Sequence, residues 1–140
     1  MITSRWWKYF KNSPEGIALT VTLAGTGAAT AKLLPNGKII VDAVAAQHTN
    51  TITLTTPVSF KVVDAKFVNG GALACALTIK NGSGAITDAL TPAAGADKVV
   101  ARAGTVDDTY TAFTKGDDDL VLSPATANLT GQVIIEIQFT

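Results

Sequence analysis

Between Val58 and Leu90 apolar and polar residues alternate with a period of two, the spacing of extended strands rather than of helices. Val58, Phe60 and Val62 alternate with Ser59 and Lys61. Val63, Ala65 and Phe67 then continue on the opposite parity, a one-residue slip that a β-bulge or a change of sheet produces. Asn69-Gly70-Gly71 follows, a sequence that tolerates the positive φ of tight strand connections, so the segment reads as a two-stranded ribbon. The second run sets Cys75, Leu77 and Ile79 against Ala74, Ala76 and Thr78, and ends at Asn81-Gly82-Ser83-Gly84. A lone ribbon buries too little to be stable, so the remaining chain must supply strands that cover it.

The remaining chain does so in short alternating runs bounded by turn residues. Ile17–Ala24 predicts a strand stopped at Gly25-Thr26-Gly27. Leu33 and Leu34 enter Pro35-Asn36-Gly37-Lys38, the strongest hairpin signal present, with Ile39–Val44 returning. Thr51–Thr55 predicts a strand with hydroxyls on its exposed face, and Pro57 separates it from the next. Residues 91–97 read as a loop and Val99–Ala101 as a short strand. Val106–Phe113 is open between a helical turn and an irregular crossover, with Thr105 or Asp107 placed to cap it. Lys115–Asp119 reads as a charged turn and Leu120–Ser123 as a strand closed by Pro124. In Gly131–Thr140 the residues Val133, Ile135, Ile137 and Phe139 form the core side of a last strand. Eight or nine short strands of this kind predict an all-β fold, an antiparallel β-sandwich or jelly-roll-like single domain over residues 17–140.

Residues 1–16 stand apart as an N-terminal arm, holding four of the nine aromatic residues and three basic residues against one acid, Glu15. Trp6, Trp7, Tyr9 and Phe10 either fold back as a lid over one end of the sandwich or anchor the domain to a partner, since aromatics and Arg dominate buried interface centres. A basic-aromatic anchor at a membrane surface is a third reading, disfavoured by the shortness of the segment. No apolar run ending in small residues marks a cleavable signal, and none approaches the roughly 18 residues of a membrane span. Expression and folding in a cytoplasm are expected. Eleven basic residues cancel eleven acidic ones, so no overall field attracts nucleic acid or an anionic membrane.

Catalytic chemistry finds few candidates. His48, the one histidine, reads as a loop residue beside Asn50, and Cys75, the one cysteine, as a small buried hydrophobe in a strand. Asp107, Asp108, Asp117, Asp118 and Asp119 place five of the eleven carboxylates within thirteen positions, a cluster that either binds Ca²⁺ or keeps turns solvated. It lacks EF-hand spacing. Gly25-Thr26-Gly27 and Gly82-Ser83-Gly84 lack the helix and Lys of phosphate loops and read as turns. No catalytic residue, metal ligand or cofactor is therefore expected.

The second half has a recognisable order: Val62-Val63-Asp64-Ala65, a small-residue strand, then Gly84-Ala85-Ile86-Thr87-Asp88-Ala89. After these come Ala101-Arg102-Ala103-Gly104-Thr105-Val106-Asp107-Asp108, a Gly116-Asp117 turn and a closing strand entered through Gly131. Over residues 58–140 this resembles the small capsid decoration, or cement, proteins of tailed bacteriophages. The resemblance implies a compact, commonly trimeric β domain that sits on the outer surface of the virion shell and clamps major capsid protein subunits, with no catalysis and no cofactor. The family has no fixed motif at the arm, and composition alone makes Arg5, Trp6, Trp7, Lys8, Tyr9 and Phe10 the expected capsid or protomer contact. Two other functions compete with this one. A carbohydrate- or receptor-binding tip domain of a phage fibre would need an exposed aromatic platform. A metal-dependent hydrolase would need Asp107, Asp108 and Asp117 to converge.

Overall fold

The computed structural model describes residues 10–11, 15–92 and 100–140. Among the described residues the chain is nearly all β, with eleven strands: β1 Ile17–Leu23, β2 Ala28–Leu34, β3 Lys38–Ala46, β4 Ile52–Thr55, β5 Phe60–Asn69, β6 Ala76–Asn81, β7 Gly84–Ala85, β8 Val100–Arg102, β9 Ala112–Phe113, β10 Leu120–Ala125 and β11 Leu129–Phe139. They form one curled antiparallel sheet, β7-β6-β10-β4-β1-β2-β3-β11-β5-β8, with β9 also on β5. The curl folds it into two layers, and β1 turns the corner. Ile17–Leu19 pair with β2 in the layer that also holds β3, β11 and β5, whereas Thr20–Leu23 pair with β4 in the layer of β10, β6 and β7. The jelly-roll-like sandwich expected from period-two runs is what the chain adopts.

Alternation sends side chains of the longer strands into a common core: Leu33, Ile39, Val41, Phe60, Val62, Phe67, Val133 and Ile135 from the first layer, Ile52, Leu54, Leu77, Ile79, Leu120 and Leu122 from the second. The parity slip in β5 is a bulge. Asp64 stands opposite Glu136 and Val62 opposite Ile137, which leaves Val63 without a partner and 47% exposed. Ala65 and Phe67 return to the core, but Val63, expected with them, is the extra residue and points to water. The Asp64 carboxylate accepts the Ala65 N–H at 2.8 Å beside the bulge.

Two expectations fail for tertiary reasons. The runs on either side of Asn69-Gly70-Gly71 do not pair: β5 bonds to β11, β8 and β9, and β6 bonds to β10 and β7, in opposite layers. The connection is a crossover, held by buried Asn69, whose amide donates to the Leu73 carbonyl at 3.0 Å while its oxygen accepts the Gly71 N–H at 2.9 Å. Pro124 does not close its strand either; β10 continues through it to Ala125, opposite Leu77. Pairing to β4 stops at Leu122, so beyond that point β10 is an edge on that side, where a residue without an N–H is tolerated. The open segment 106–113 resolves into a Thr87–Val106 bridge, a turn in which Asp107 accepts the Thr109 N–H at 2.9 Å, and β9.

Candidate functional surface

The polar residues singled out in the sequence hold turns. His48 and Asn128 meet at one end of the sandwich, where the Asn128 side-chain oxygen accepts the His48 backbone N–H at 3.0 Å and lies 2.9 Å from Nδ1. Cys75 is fully buried on the core face. Burial pushes its thiol above the usual range, with a backbone hydrogen bond at Ala125 opposing in part. The native protein is therefore expected to resist a thiol reagent such as Ellman's at neutral pH and to react at once in denaturant. Fast labelling of the folded chain would contradict the packing of β6 against β10.

The carboxylates are dispersed over separate duties. Asp118 accepts the Thr114 N–H at 2.7 Å and Asp88 accepts those of Gly104 and Thr105 at 2.9 and 3.2 Å. Hydrogen bonds from Thr109 hold the exposed Asp107 carboxyl below its usual range. Asp108 stands 4.0 Å from Lys61 in water, a pair that contributes little. Among the described residues no three His, Cys, Asp or Glu side chains gather so as to hold a metal ion.

Of the arm residues expected at a contact, Arg5, Trp6, Trp7, Lys8 and Tyr9 lie outside the described residues. Phe10 is buried at 2% exposure, its ring tilted 60° to that of Phe139 with centroids 6.0 Å apart. It is thus a core side chain and not itself a displayed one. Phe139 stands opposite Phe60 in the sheet, and Phe60 stacks on Phe113 at 4.7 Å and 11°. Four aromatic rings from the arm, β11, β5 and β9 therefore meet at one end of the first layer.

The two outer faces differ in chemistry although both derive from the same alternation. On the second layer Thr20, Thr22, Thr53, Thr55, Thr78 and Ser123 present hydroxyls, with Val121 and Lys80 beside Thr53 in the same row. On the first layer the central row runs Lys32, Ile40, Ile134, Lys66 and Arg102 across adjacent strands. Beside it lie Lys38 opposite Glu136 and, on the other flank, Asp42 opposite Gln132, whose amide donates to the Asp42 carboxylate at 3.1 Å. Shallow grooves cross this face, one lined by Glu15, Ala18, Thr30, Lys32 and Ile40, another by Val44, Val68, Thr130 and Gly131, and Asp42 lines both. Nothing in the sequence reading assigned this face a role. Its signal was Lys38-Ile39-Ile40-Val41 and Val133-Ile134-Ile135, where both parities are apolar in strands whose neighbours keep one side polar.

No family model matches the sequence, and no curated protein matches it. Among solved structures the chain is similar to the native structure of a family 35 carbohydrate binding module from Clostridium thermocellum, at 11% identity and a TM-score of 0.39, over 90% of this chain and 93% of that one.

Proposed function

We propose that the protein is a non-enzymatic virion component, a decoration protein that binds the outer surface of a phage head through its N-terminal arm. The observation that carries this reading is the burial of Phe10 against Phe139. It ties the last residue of Arg5–Phe10 to the sandwich, so that a contact made by Trp6, Trp7 or Tyr9 is transmitted to a stiff body rather than to a free tail. Repetition of the contact over a shell lattice supplies the avidity that one short segment lacks. Removal of residues 1–9, which keeps Phe10, is expected to abolish co-sedimentation with shells of the parent virion while leaving thermal unfolding unchanged. Undiminished occupancy would eliminate the arm from attachment.

A second reading, a carbohydrate- or receptor-binding module, is favoured by the groove at Asp42 and Gln132, where a carboxylate and an amide stand on the open face of a rigid sheet. Calorimetric titration against host surface glycans distinguishes it: this reading requires binding that Asp42→Ala removes and that deletion of the arm does not.

A further inference from the structure

The outer face of the first layer carries a pattern that fits a second copy of itself. The antiparallel strands β3 and β11 are neighbours at the middle of the layer, and their outward residues form three in-register pairs: Lys38 with Glu136, Ile40 with Ile134, and Asp42 with Gln132. Each pair has members that attract or match one another. A two-fold axis running parallel to these strands, between two copies laid face to face, exchanges β3 of one copy with β11 of the other. Every pair then meets its own complement: Lys38 faces the second copy's Glu136, Ile40 faces its Ile134, and the Asp42 carboxylate faces its Gln132 amide.

We infer that this face is an isologous interface, closed by a two-fold axis over the strand pair β3–β11, with a second copy of this chain as its occupant. Three layers form across it: a quartet of alternating charges, a quartet of isoleucines, and a quartet of carboxylates and amides. The isoleucines supply apolar area, and the charge quartet centres the axis, since an axis displaced onto β3 or β11 would set Lys38 against Lys38 or Glu136 against Glu136. The same axis sets Lys32 of one copy opposite Lys66 of the other on each side of the isoleucines, a like-charge contact that the long stems relieve by carrying the ammonium groups apart to the rim. Val44, 64% exposed, and Val68 extend the apolar ground on the same face. The outer face of the other layer is an internal contrast, because it is built by the same alternation and its strands β4, β6 and β10 turn outward only Val121 among large apolar side chains. The inference rests on the sheet face rather than on the arm, and it puts a two-fold dimer in place of the trimer that the resemblance implied.

The test is the native mass of the full chain by sedimentation equilibrium across a dilution series, with circular dichroism confirming that each variant is folded. The wild type is expected at twice 14.4 kDa. Lys38→Glu, which makes the charge quartet all acidic, is expected to weaken the dimer about tenfold or more. Lys38→Glu combined with Glu136→Lys restores the alternation and is expected to restore the dimer. Ile134→Lys is expected to give a folded monomer, and Thr53→Lys on the hydroxyl face to leave the dimer intact. A wild type that is monomeric throughout, or trimeric, overturns the inference. So does a charge exchange that fails to rescue.

Discussion

Phe60→Ala is expected to cost roughly 3–5 kcal/mol of unfolding free energy, the range for truncating a fully buried aromatic side chain. Phe60 is 0% exposed, and its ring stacks on Phe113 at 4.7 Å. That contact fixes β9 to β5, because the pairing of these strands covers only Phe60–Phe113 and Lys61–Ala112. Losing the ring therefore opens a cavity and also releases the turn before β9. For a domain with a total stability of about 5–15 kcal/mol the loss is a large fraction of the whole, and the thermal midpoint should fall by roughly 10–20 °C. Phe60→Leu, which keeps most of the volume, should cost about 1.5 kcal/mol or less. Urea unfolding of the two variants beside the wild type measures both. A Phe60→Ala loss under about 1 kcal/mol would mean that the aromatic end of the sandwich is not a packed core.

Gly131→Ala is the second large effect, and its origin is backbone geometry. Gly131 enters β11 with φ +139°, a region essentially closed to residues with a Cβ. An added Cβ would fall on the Val68 carbonyl oxygen and within 2.8 Å of the Gly70 nitrogen, so neither neighbour can yield by moving a side chain. The site lies where β11 slips register against β3, between Leu129 and Gly131, and where it begins to pair with β5 at Asn69. Strain and overpacking together are expected to cost roughly 2–5 kcal/mol. Gly82→Ala is the control: φ is +56° in the β6–β7 turn, and nothing lies within 4 Å of the added carbon. Its cost should be about 1–2 kcal/mol, from φ alone. Equal effects at the two glycines in chemical denaturation would refute the account of Gly131 as a closely approached position.

Much of the architecture was legible because its determinants are local. The hairpin at Pro35-Asn36-Gly37 was visible in turn chemistry, and Gly37 takes φ +82° there as such a turn requires. The bulge in β5 was visible as a parity slip, since an extra residue shifts every later side chain to the opposite face. The acidic cluster was equally readable as turn-forming material: Asp107 and Asp118 each bond a backbone N–H two or four residues away. Phe10 was not readable. Within the arm it looks like Trp6, Trp7 and Tyr9, and only the position of Phe139 decides that it is buried.

Alternation by itself determined that this chain forms strands, where most of them begin and end, and which side chains enter the core, because a period of two assigns each residue to a face whatever partner the strand finds. Which strands pair was decided by the tertiary structure. Asn69-Gly70-Gly71 can serve a hairpin or a crossover equally well, and the choice belongs to β11 and β10, which begin at Leu129 and Leu120, far beyond the turn, and occupy the edges that β5 and β6 would otherwise have offered each other. The same pairing lays Ile40 beside Ile134 and Lys38 beside Glu136 on one open face. Residues so far apart in the chain acquire a joint chemistry only when the sheet brings them into register.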